Sequence, residues 1–299
     1  MDGFRKRYYS YTPANYTVNS VRSFKIDELS PVHNIQRMVK KYTNGENLMH
    51  FKSYLFFSMA VIFSQVATAG SFSDTFQGSP KLYINLYAFA ADVDGSINQG
   101  HIRYDVDQPF KETVKELDSA FMVHADISKG LWGFYTDKQT VKTSQNKHAL
   151  QLPVALNTKL NQDRYGIYYQ AYISPETAQN NQPRLIVEPT VGIHHTEAKA
   201  TLSVLNQSVK ADQSWDEFFW GTRFKYNFNS PWNLASEITF GTENTVSAHA
   251  YAGYRIPVMN RHINLRAGYR YQEQDYKSGN FHWDIIQKGP VIGINLPIF

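Results

Sequence analysis

A serine and a histidine in the segment VSAHAY are the first residues whose types and spacing could do chemistry. Ser247 and His249 stand two positions apart, and alternate residues of a β-strand point to the same face. Nucleophilic catalysis needs a hydroxyl within hydrogen-bond reach of a base, and a third group that orients the base. No carboxylate is placed beside this pair by the sequence, and the spacing is common by chance. We therefore predict no catalytic residue here.

A further histidine motif could hold a metal ion. His194, His195 and Glu197 lie within one short segment, but adjacent residues of a strand point to opposite faces. At most one of the two histidines can then join Glu197, so we predict no metal site and no cofactor. His282 and Asp284, in the segment FHWD, are expected to form a solvated polar edge.

A larger set of charged residues falls on one face of several alternating segments. If these segments are strands of a barrel, the charges line its interior, where they must pair or stay in contact with water. Two interpretations remain open: a basic constriction that selects anionic solutes, or a plug of interlocking arginine–glutamate pairs. The set consists of His124, Asp126, Glu188, Arg223, Lys225, Glu237, His249, Arg255, Arg266 and Arg270.

The elements that would position these residues are strands. Beyond Gly70 no segment keeps a helical period, whereas period-two alternation recurs, most clearly at 263–272. The segments are about 9–12 residues long, which suits tilted strands that cross a bilayer, whereas the strands of soluble sandwiches average about 5–6. Their polar faces mix Arg, Lys, Glu and Gly. The pattern predicts an all-β protein, an antiparallel transmembrane β-barrel with a polar lumen.

Ten strands are predicted, joined by turns and loops of unequal length. The segments after strands one, three and five, at 93–118, 143–162 and 198–214, are expected to be long extracellular loops opposite short periplasmic turns. The segments GHIRYDV and ALQLPVALN could instead extend strands or add a hairpin, so eight and twelve strands stay open. The predicted strands are 82–92, 119–129, 131–142, 163–174, 184–197, 215–228, 232–242, 246–256, 262–274 and 286–298.

The segment YLFFSMAVIFSQVATAG has the features of a secretory signal peptide. Its dense apolar run is about half the roughly 20 residues of a transmembrane helix, and it ends in Ala-Thr-Ala. We predict a signal peptide at 49–69, cleaved after Ala69, and a barrel at 70–299. A buried core helix or a signal anchor is the alternative. Residues 1–48 are interpreted as an over-extended reading frame or a disordered extension.

Composition narrows the classes of function. The chain has no Cys, which excludes disulfides, thiolate metal sites and a lipid-modified cysteine. Lys and Arg are scattered, and the net charge is only +4, so no nucleic-acid partner is expected. Tyr, Phe and Trp reach 15%, and Tyr and Trp prefer the membrane–water interface. The aromatic residues expected there are Trp132, Tyr135, Tyr165, Trp220, Tyr226, Trp232, Tyr254 and Tyr269.

Several segments resemble those of a widespread, largely uncharacterised group of small, porin-like outer-membrane β-barrel proteins of Gram-negative bacteria. They are INLYAFAADVDGSI, FMVHADISKGLWGFYTD and WDEFFWGTRFKYNFNSPWNLASEITFG, which include the KGLWG turn and a W-D-x-F-x-G-x-R-like strand. The resemblance implies insertion by the outer-membrane assembly machinery, which favours a C-terminal aromatic residue such as Phe299. Phe299 is, however, out of phase with the apolar residues Ile292, Ile294, Leu296 and Ile298.

These observations together predict an outer-membrane barrel of a Gram-negative bacterium, in contact with membrane lipids and lipopolysaccharide. Its expected role is structural, or the narrow passage of small, anionic solutes. One alternative is a surface adhesin or receptor that meets an extracellular partner through 93–118 and 198–214. The other is a lipid-acting enzyme, although the His-x-Ser order of deacylase and phospholipase barrels is reversed in Ser247-Ala-His249.

Overall fold

The computed structural model describes residues 75–149, 152–177, 181–204, 207–259 and 261–299. The predicted extension 1–48, the predicted signal peptide 49–69 and its cleavage site at Ala69 lie outside these ranges. Within the described ranges, no helix is long and apolar enough to cross a membrane.

The described chain is built almost entirely of β-strands. One short helix, α1 (Phe110–Lys115), interrupts them. The strands are β1 (Lys81–Phe89), β2 (Asp92–Gln99), β3 (Ile102–Gln108), β4 (Leu117–Lys129), β5 (Trp132–Ala149), β6 (Leu152–Tyr169), β7 (Tyr172–Ile173), β8 (Leu185–Val204), β9 (Gln207–Asn227), β10 (Trp232–Gly241), β11 (Val246–Val258), β12 (Arg261–Ser278) and β13 (Phe281–Pro297).

Ten of these strands form a closed antiparallel barrel in the order β1-β4-β5-β6-β8-β9-β10-β11-β12-β13, because β1 also pairs with β13. The closing register runs from Tyr83 opposite Pro297 to Phe89 opposite Val291. A closed barrel leaves no unpaired strand edge. The predicted fold, including the predicted number of strands, is confirmed.

The first loop prediction, 93–118, was wrong. After a break at 90–91, the chain continues along β13 as β2, with Asp92 opposite Lys288. It then turns at Gly100, whose φ of 62° suits a residue without a side chain, and returns as β3. Helix α1 connects β3 to β4. The segment GHIRYDV therefore forms a hairpin, which was the alternative left open by the sequence.

The loop predictions 143–162 and 198–214 were wrong for the same reason. The pair β5–β6 stays in register up to Ala149 opposite Leu152, and β8–β9 up to Val204 opposite Gln207. The pair β12–β13 likewise continues to Ser278 opposite Phe281. These strands are far longer than the 9–11 residues that cross a bilayer, so their outer portions project beyond it.

The barrel therefore has two unlike ends. At the terminal end lie Lys81, Pro297 and short turns such as the one at Gly130, whose φ is 61°. At the far end lie the long hairpins. Phe299 follows β13 at the terminal end, where its backbone carbonyl accepts a hydrogen bond of 2.9 Å from the Leu82 amide. Its ring is exposed, and its predicted role in insertion stays a prediction.

The outward face changes character along the strands. Near the terminal end it carries an apolar band with exposed side chains such as Leu265 (42%) and Ile294 (43%). Aromatic pairs edge this band, including Trp232 with Tyr254, whose ring centroids are 5.0 Å apart. Farther along, the outward residues become charged. Lys138, for example, pairs with Asp163 at 3.0 Å.

The inward face changes in the opposite sense. Within the apolar band it is polar and charged. Beyond the band it carries a packed apolar cluster, the apolar cap, made of Trp215, Phe281, Trp283 and Ile285, each no more than 7% exposed. The outer portion is therefore organised as a water-soluble barrel, and the inner portion as a membrane barrel. This inversion is the reason that the hairpins read as polar loops in the sequence.

Candidate functional site

The barrel brings all ten predicted lumen residues onto its inner face. Glu188 and Arg270 are fully buried there at 0% and 1% exposure. The other eight line one continuous cavity on the terminal side of the lumen: His124, Asp126, Arg223, Lys225, Glu237, His249, Arg255 and Arg266. Most of the ten belong to a buried group of ion pairs, and two are arginines without carboxylate partners.

Arg223 is the centre of the buried group, which we name the central network. It lies on β9 and reaches across the lumen to Asp126 on β4, at 2.6 Å between Nη2 and Oδ2. Its Nε lies 3.4 Å from Glu188 and 3.8 Å from Glu237, on the two strands that flank β9. Lys225 adds a contact of 2.9 Å to Glu188. Buried charges require this kind of mutual compensation.

Two tyrosines hold the Arg223 guanidinium between them. Its Cζ lies 4.7 Å from the ring centroid of Tyr135 and 4.2 Å from that of Tyr168, within cation–π range. The Tyr168 hydroxyl also donates to Asp126 at 2.6 Å. Each tyrosine lies over a glycine of the facing strand, Tyr168 over Gly133 and Tyr135 over Gly166. A side chain at either glycine would occupy the space that the ring fills.

Gly133→Val is therefore expected to destabilise the barrel. A Cβ at this position would lie 2.1 Å from Tyr168 Cζ, so the ring must leave Arg223 and Asp126. We expect a loss of about 1–3 kcal/mol, typical of overpacking, measured as a lower urea midpoint for unfolding in lipid vesicles. Thr136→Val, on the outward face of the same strand, is the control. Equal midpoints for the two variants would contradict the tyrosine-over-glycine arrangement.

Three network residues were missed in the sequence: Arg164, Asp137 and Tyr87. Arg164 contacts Glu237 at 3.1 Å and donates to Thr239 at 2.9 Å. Tyr87 donates to Asp137 at 2.6 Å and accepts from Arg270 at 3.3 Å. The phase of the predicted strand 163–174 already placed Arg164 on the inward side. Asp137 lies two residues after Tyr135 and shares its face of the strand. Because Tyr135 was expected at the membrane interface, Asp137 was not expected in the lumen.

That assignment of Tyr135 was wrong. The side chain is 1% exposed and lies in the lumen, because its strand alternates Phe134 outward with Tyr135 inward. Trp232, Tyr254 and Tyr165 are exposed on the outward face, as expected of interfacial residues.

A polar layer joins the central network to the apolar cap. His194 Nδ1 lies 2.7 Å from Glu217, and Thr245 donates to Glu217 at 2.5 Å. Gln274 donates to Thr196 at 3.1 Å and accepts from Gln162 at 3.0 Å across the lumen. His194 is thus part of the lumen packing.

The other candidates for metal binding or catalysis are dispersed. His195 points outward and pairs with Asp216 at 2.7 Å. Glu197 lies beyond the apolar band, where hydrogen bonds from Lys199 and Asn161 hold the pKa of its carboxyl below the usual value. The described ranges contain no group of three metal-binding side chains.

Ser247 and His249 do share the inward face, but they do not form a couple. Ser247 Oγ is buried, and neither it nor His249 Nδ1 has a hydrogen-bond partner within the described chain. A nucleophile without a bonded base is not activated. His282 bonds to Asp275 at 2.8 Å near the far end.

The polar lumen is occluded at its middle. Polar side chains that would face water in an open pore are almost completely buried: Arg270 is 1% exposed, and Gln272 and Gln274 are each 2% exposed. The apolar cap covers them from the far end. Of the two interpretations left open by the sequence, this geometry favours the plug.

The terminal side of the lumen is hollow. A cavity of about 720 Å³, the basal cavity, extends from the central network to the terminal end. Its mouth lies at that end, where five exposed polar or charged residues line it: Lys81, Asn181, Gln182, Arg261 and His262. Arg255 and Arg266 line its wall.

Comparison with known proteins gives no family. No protein-family model matches the chain, and no curated protein sequence matches it. Among solved structures, it is similar to CdiB from Acinetobacter baumannii, with 11% identity and a TM-score of 0.36 over 68% of this chain and 40% of that one. The chain thus spans less than half of CdiB.

Two smaller barrels align over their whole length. One is Ail, the attachment invasion locus protein of Yersinia pestis, with 11% identity, a TM-score of 0.31 and coverage of 74% of this chain and 100% of that one. The other is a major outer membrane protein from Thermus thermophilus, with 8% identity, a TM-score of 0.34 and the same coverage. Such similarities concern the fold alone.

Proposed function

We propose that this chain is an outer-membrane β-barrel with a closed lumen, which serves as a structural, surface-exposed element and not as an open pore. Its apolar band is the surface expected to face lipid, and the polar lumen is the counterpart expected of membrane barrels. In the closed ten-stranded barrel each strand pairs on both sides, which supplies the backbone hydrogen bonds that a lipid environment demands.

The two ends of the barrel support an orientation. Outer-membrane barrels have short periplasmic turns and longer extracellular connections. By this rule the terminal end faces the periplasm, and the far end projects from the cell. The charged outward face of the hairpins, with pairs such as Lys199–Asp212 at 3.1 Å, suits exposure to water.

The observation that carries the proposal is the filling of the lumen. The central network crosses the barrel through Arg223 and Asp126, and the apolar cap closes the far end. An ion would have to displace both buried charges and packed tryptophans. Ten-stranded barrels have room for such a filling, whereas barrels of 16–18 strands keep an aqueous channel.

We expect residues 70–299, refolded in detergent and inserted into a planar bilayer, to produce no stable single-channel steps. A shift of the gel band on heating would establish that the barrel had folded. Reproducible anion-selective steps that change on substitution of Arg255, Arg266 or Arg270 would contradict the closed lumen and favour the porin-like alternative.

A second candidate function is surface recognition through the far-end hairpins. The observation that favours it is that these segments are paired strands, and a preorganised surface binds with less loss of entropy than an unpaired loop. Removing 201–210 and joining Ala200 to Ala211, which face each other in register, shortens one hairpin. We would compare attachment of cells that display the full or the shortened barrel to an immobilised extracellular-matrix extract. Equal attachment would exclude this hairpin as the recognition element.

A further inference from the structure

The basal cavity contains cations that the rest of the lumen does not neutralise. Arg255 and Arg266 lie on neighbouring strands, β11 and β12, with Arg266 two residues beyond the register partner of Arg255. Across the described chain, no carboxylate approaches either guanidinium within ion-pair distance, whereas Arg223, Arg164 and Arg270 each have at least one carboxylate partner. The two arginines are therefore charges without ion-pair partners on the inner face of the barrel wall.

Their hydrogen-bonding capacity is also largely unused. Arg255 donates to the Asn227 side chain, but its Nη1 has no partner within the described chain, and neither has Arg266 Nε. A guanidinium presents a planar fork of donors that matches the two oxygens of a carboxylate or phosphate. Buried donors without partners are costly, and a bound oxyanion would supply the acceptors that these donors need.

The nearby carboxylates do not fill this role. Asp126 and Glu237, which also line the cavity, are engaged by Arg223 in the central network. Asp137 accepts from Tyr87 and lies 3.9 Å from Arg270. The acidic residues are thus already paired at the inner end of the cavity. The excess positive charge lies toward the mouth, where Lys81 and Arg261 add to that of the two arginines.

A belt of asparagines lines the same cavity as the two arginines. Asn85, Asn295 and Asn264 follow one another in register across three strands. Asn233 and Asn264 exchange hydrogen bonds of 3.0 and 3.1 Å, and Asn85 Oδ1 has no partner within the described chain. Amides can donate to an anion or accept from a hydroxyl. The belt therefore adds neutral polar groups to the charged pair.

We propose that the basal cavity binds a small soluble solute that carries two or more negative charges on carboxylate or phosphate groups. Two guanidiniums without carboxylate partners match two negative charges. The cavity volume is within the usual range for small-molecule sites of about 300–1,000 Å³. The solute enters through the terminal end, because the middle of the lumen is occluded and the wall is closed. Lipid is excluded as the ligand source, because the ten strands around the basal cavity pair on both sides and leave no lateral opening there.

The test is calorimetric titration of the folded barrel with two probes, inorganic phosphate and succinate. We expect one or both to bind, and Arg255→Gln and Arg266→Gln each to weaken binding by about tenfold or more, because each removes a charge-assisted contact. Arg184→Gln is the control, since this exposed arginine lies at the same end and outside the cavity lining. Its affinity should equal that of the unsubstituted barrel.

Two results would overturn the proposal. The first is that neither probe produces heat at concentrations up to about 10 mM, a limit that already allows for very weak affinity. The second is that the double variant Arg255→Gln, Arg266→Gln still binds a probe while its gel band still shifts on heating. The second result would place binding elsewhere on a folded protein. Conductance is measured separately. A barrel that conducts ions and also binds phosphate would therefore contradict the closed lumen of the proposed function without contradicting the anion site.

The absence of cysteine allows a second, local readout. Ser128→Cys introduces the chain's single thiol on the cavity lining near the terminal end. We expect a negatively charged thiosulfonate reagent to modify it faster than a neutral reagent of similar size, and the bound probe to slow that reaction. Equal rates for the two reagents, unaffected by phosphate or succinate, would contradict a cavity that attracts anions.

Discussion

Replacing Arg223 by methionine is expected to be among the most destabilising single substitutions in this barrel. Methionine keeps most of the aliphatic stem but has no charge. Asp126 would therefore lose its only salt-bridge partner within the described chain, and Glu188 and Glu237 would lose one of theirs. Removing one member of a buried ion pair typically costs about 3–5 kcal/mol, because the remaining charge stays buried. Tyr135 and Tyr168 would also lose the cation between them.

The measurement is urea unfolding in lipid vesicles, followed by tryptophan fluorescence. Arg103→Met is the matched control, because Arg103 forms an exposed pair with Asp105 at 2.7 Å, and such pairs contribute little. Adding Asp126→Asn to the Arg223→Met chain should recover part of the loss by removing the uncompensated carboxylate. A shift no larger than that of Arg103→Met would show that the central network is not what stabilises the lumen.

Trp215→Ala is expected to open the far end while leaving the membrane-spanning part folded. Trp215 is 5% exposed, stacks on Tyr276 with ring centroids 4.6 Å apart, and contacts Trp283 at 5.7 Å. Removing a buried tryptophan costs about 3–5 kcal/mol. The far-end hairpins have no lipid around them, so this loss falls on their local stability.

The readout is the rate of proteolysis at the far end of the folded barrel in detergent. We expect cleavage within the hairpins to become about 100-fold faster or more, since local opening governs access. The heat-dependent gel shift of the remaining core should persist. Tyr104→Ala, an exposed aromatic residue on β3, is the control and should leave the rate unchanged. Unchanged cleavage of the Trp215→Ala chain would mean that the apolar cap does not hold the hairpins.

The membrane-spanning part of the fold could be predicted because one physical rule governs it. Lipid outside and polar groups inside impose alternation on every strand, so Leu265 and Arg266 fall on opposite faces in the sequence and in the structure. Strand number followed from the same rule. The ten charged lumen residues were found by projecting this alternation inward, and their placement along the lumen required the register.

The remainder could not be predicted, because the rule reverses beyond the membrane. In the β8–β9 hairpin, Lys199 and Asp212 face outward while Trp215 faces the interior. Because its outward residues are charged, this part of each strand has the amino-acid composition of an exposed loop. Strand β5 presents a second difficulty, since Phe134 and Tyr135 are both aromatic and residue type does not show which one faces lipid. The signal that could have decided it is Gly166, whose missing side chain makes room for Tyr135.

The closing pair of strands has a consequence for how the barrel is made. The register that joins Tyr83 to Pro297 connects the two ends of the described wall, and pairing so distant in sequence carries the largest loop-closure entropy, so it forms last. Until then, Arg270 lacks Tyr87, and the polar lumen would lie open to hydrocarbon. A partly assembled sheet in the bilayer is therefore high in free energy, because its polar face contacts hydrocarbon. We infer that insertion and closure of the barrel are coupled.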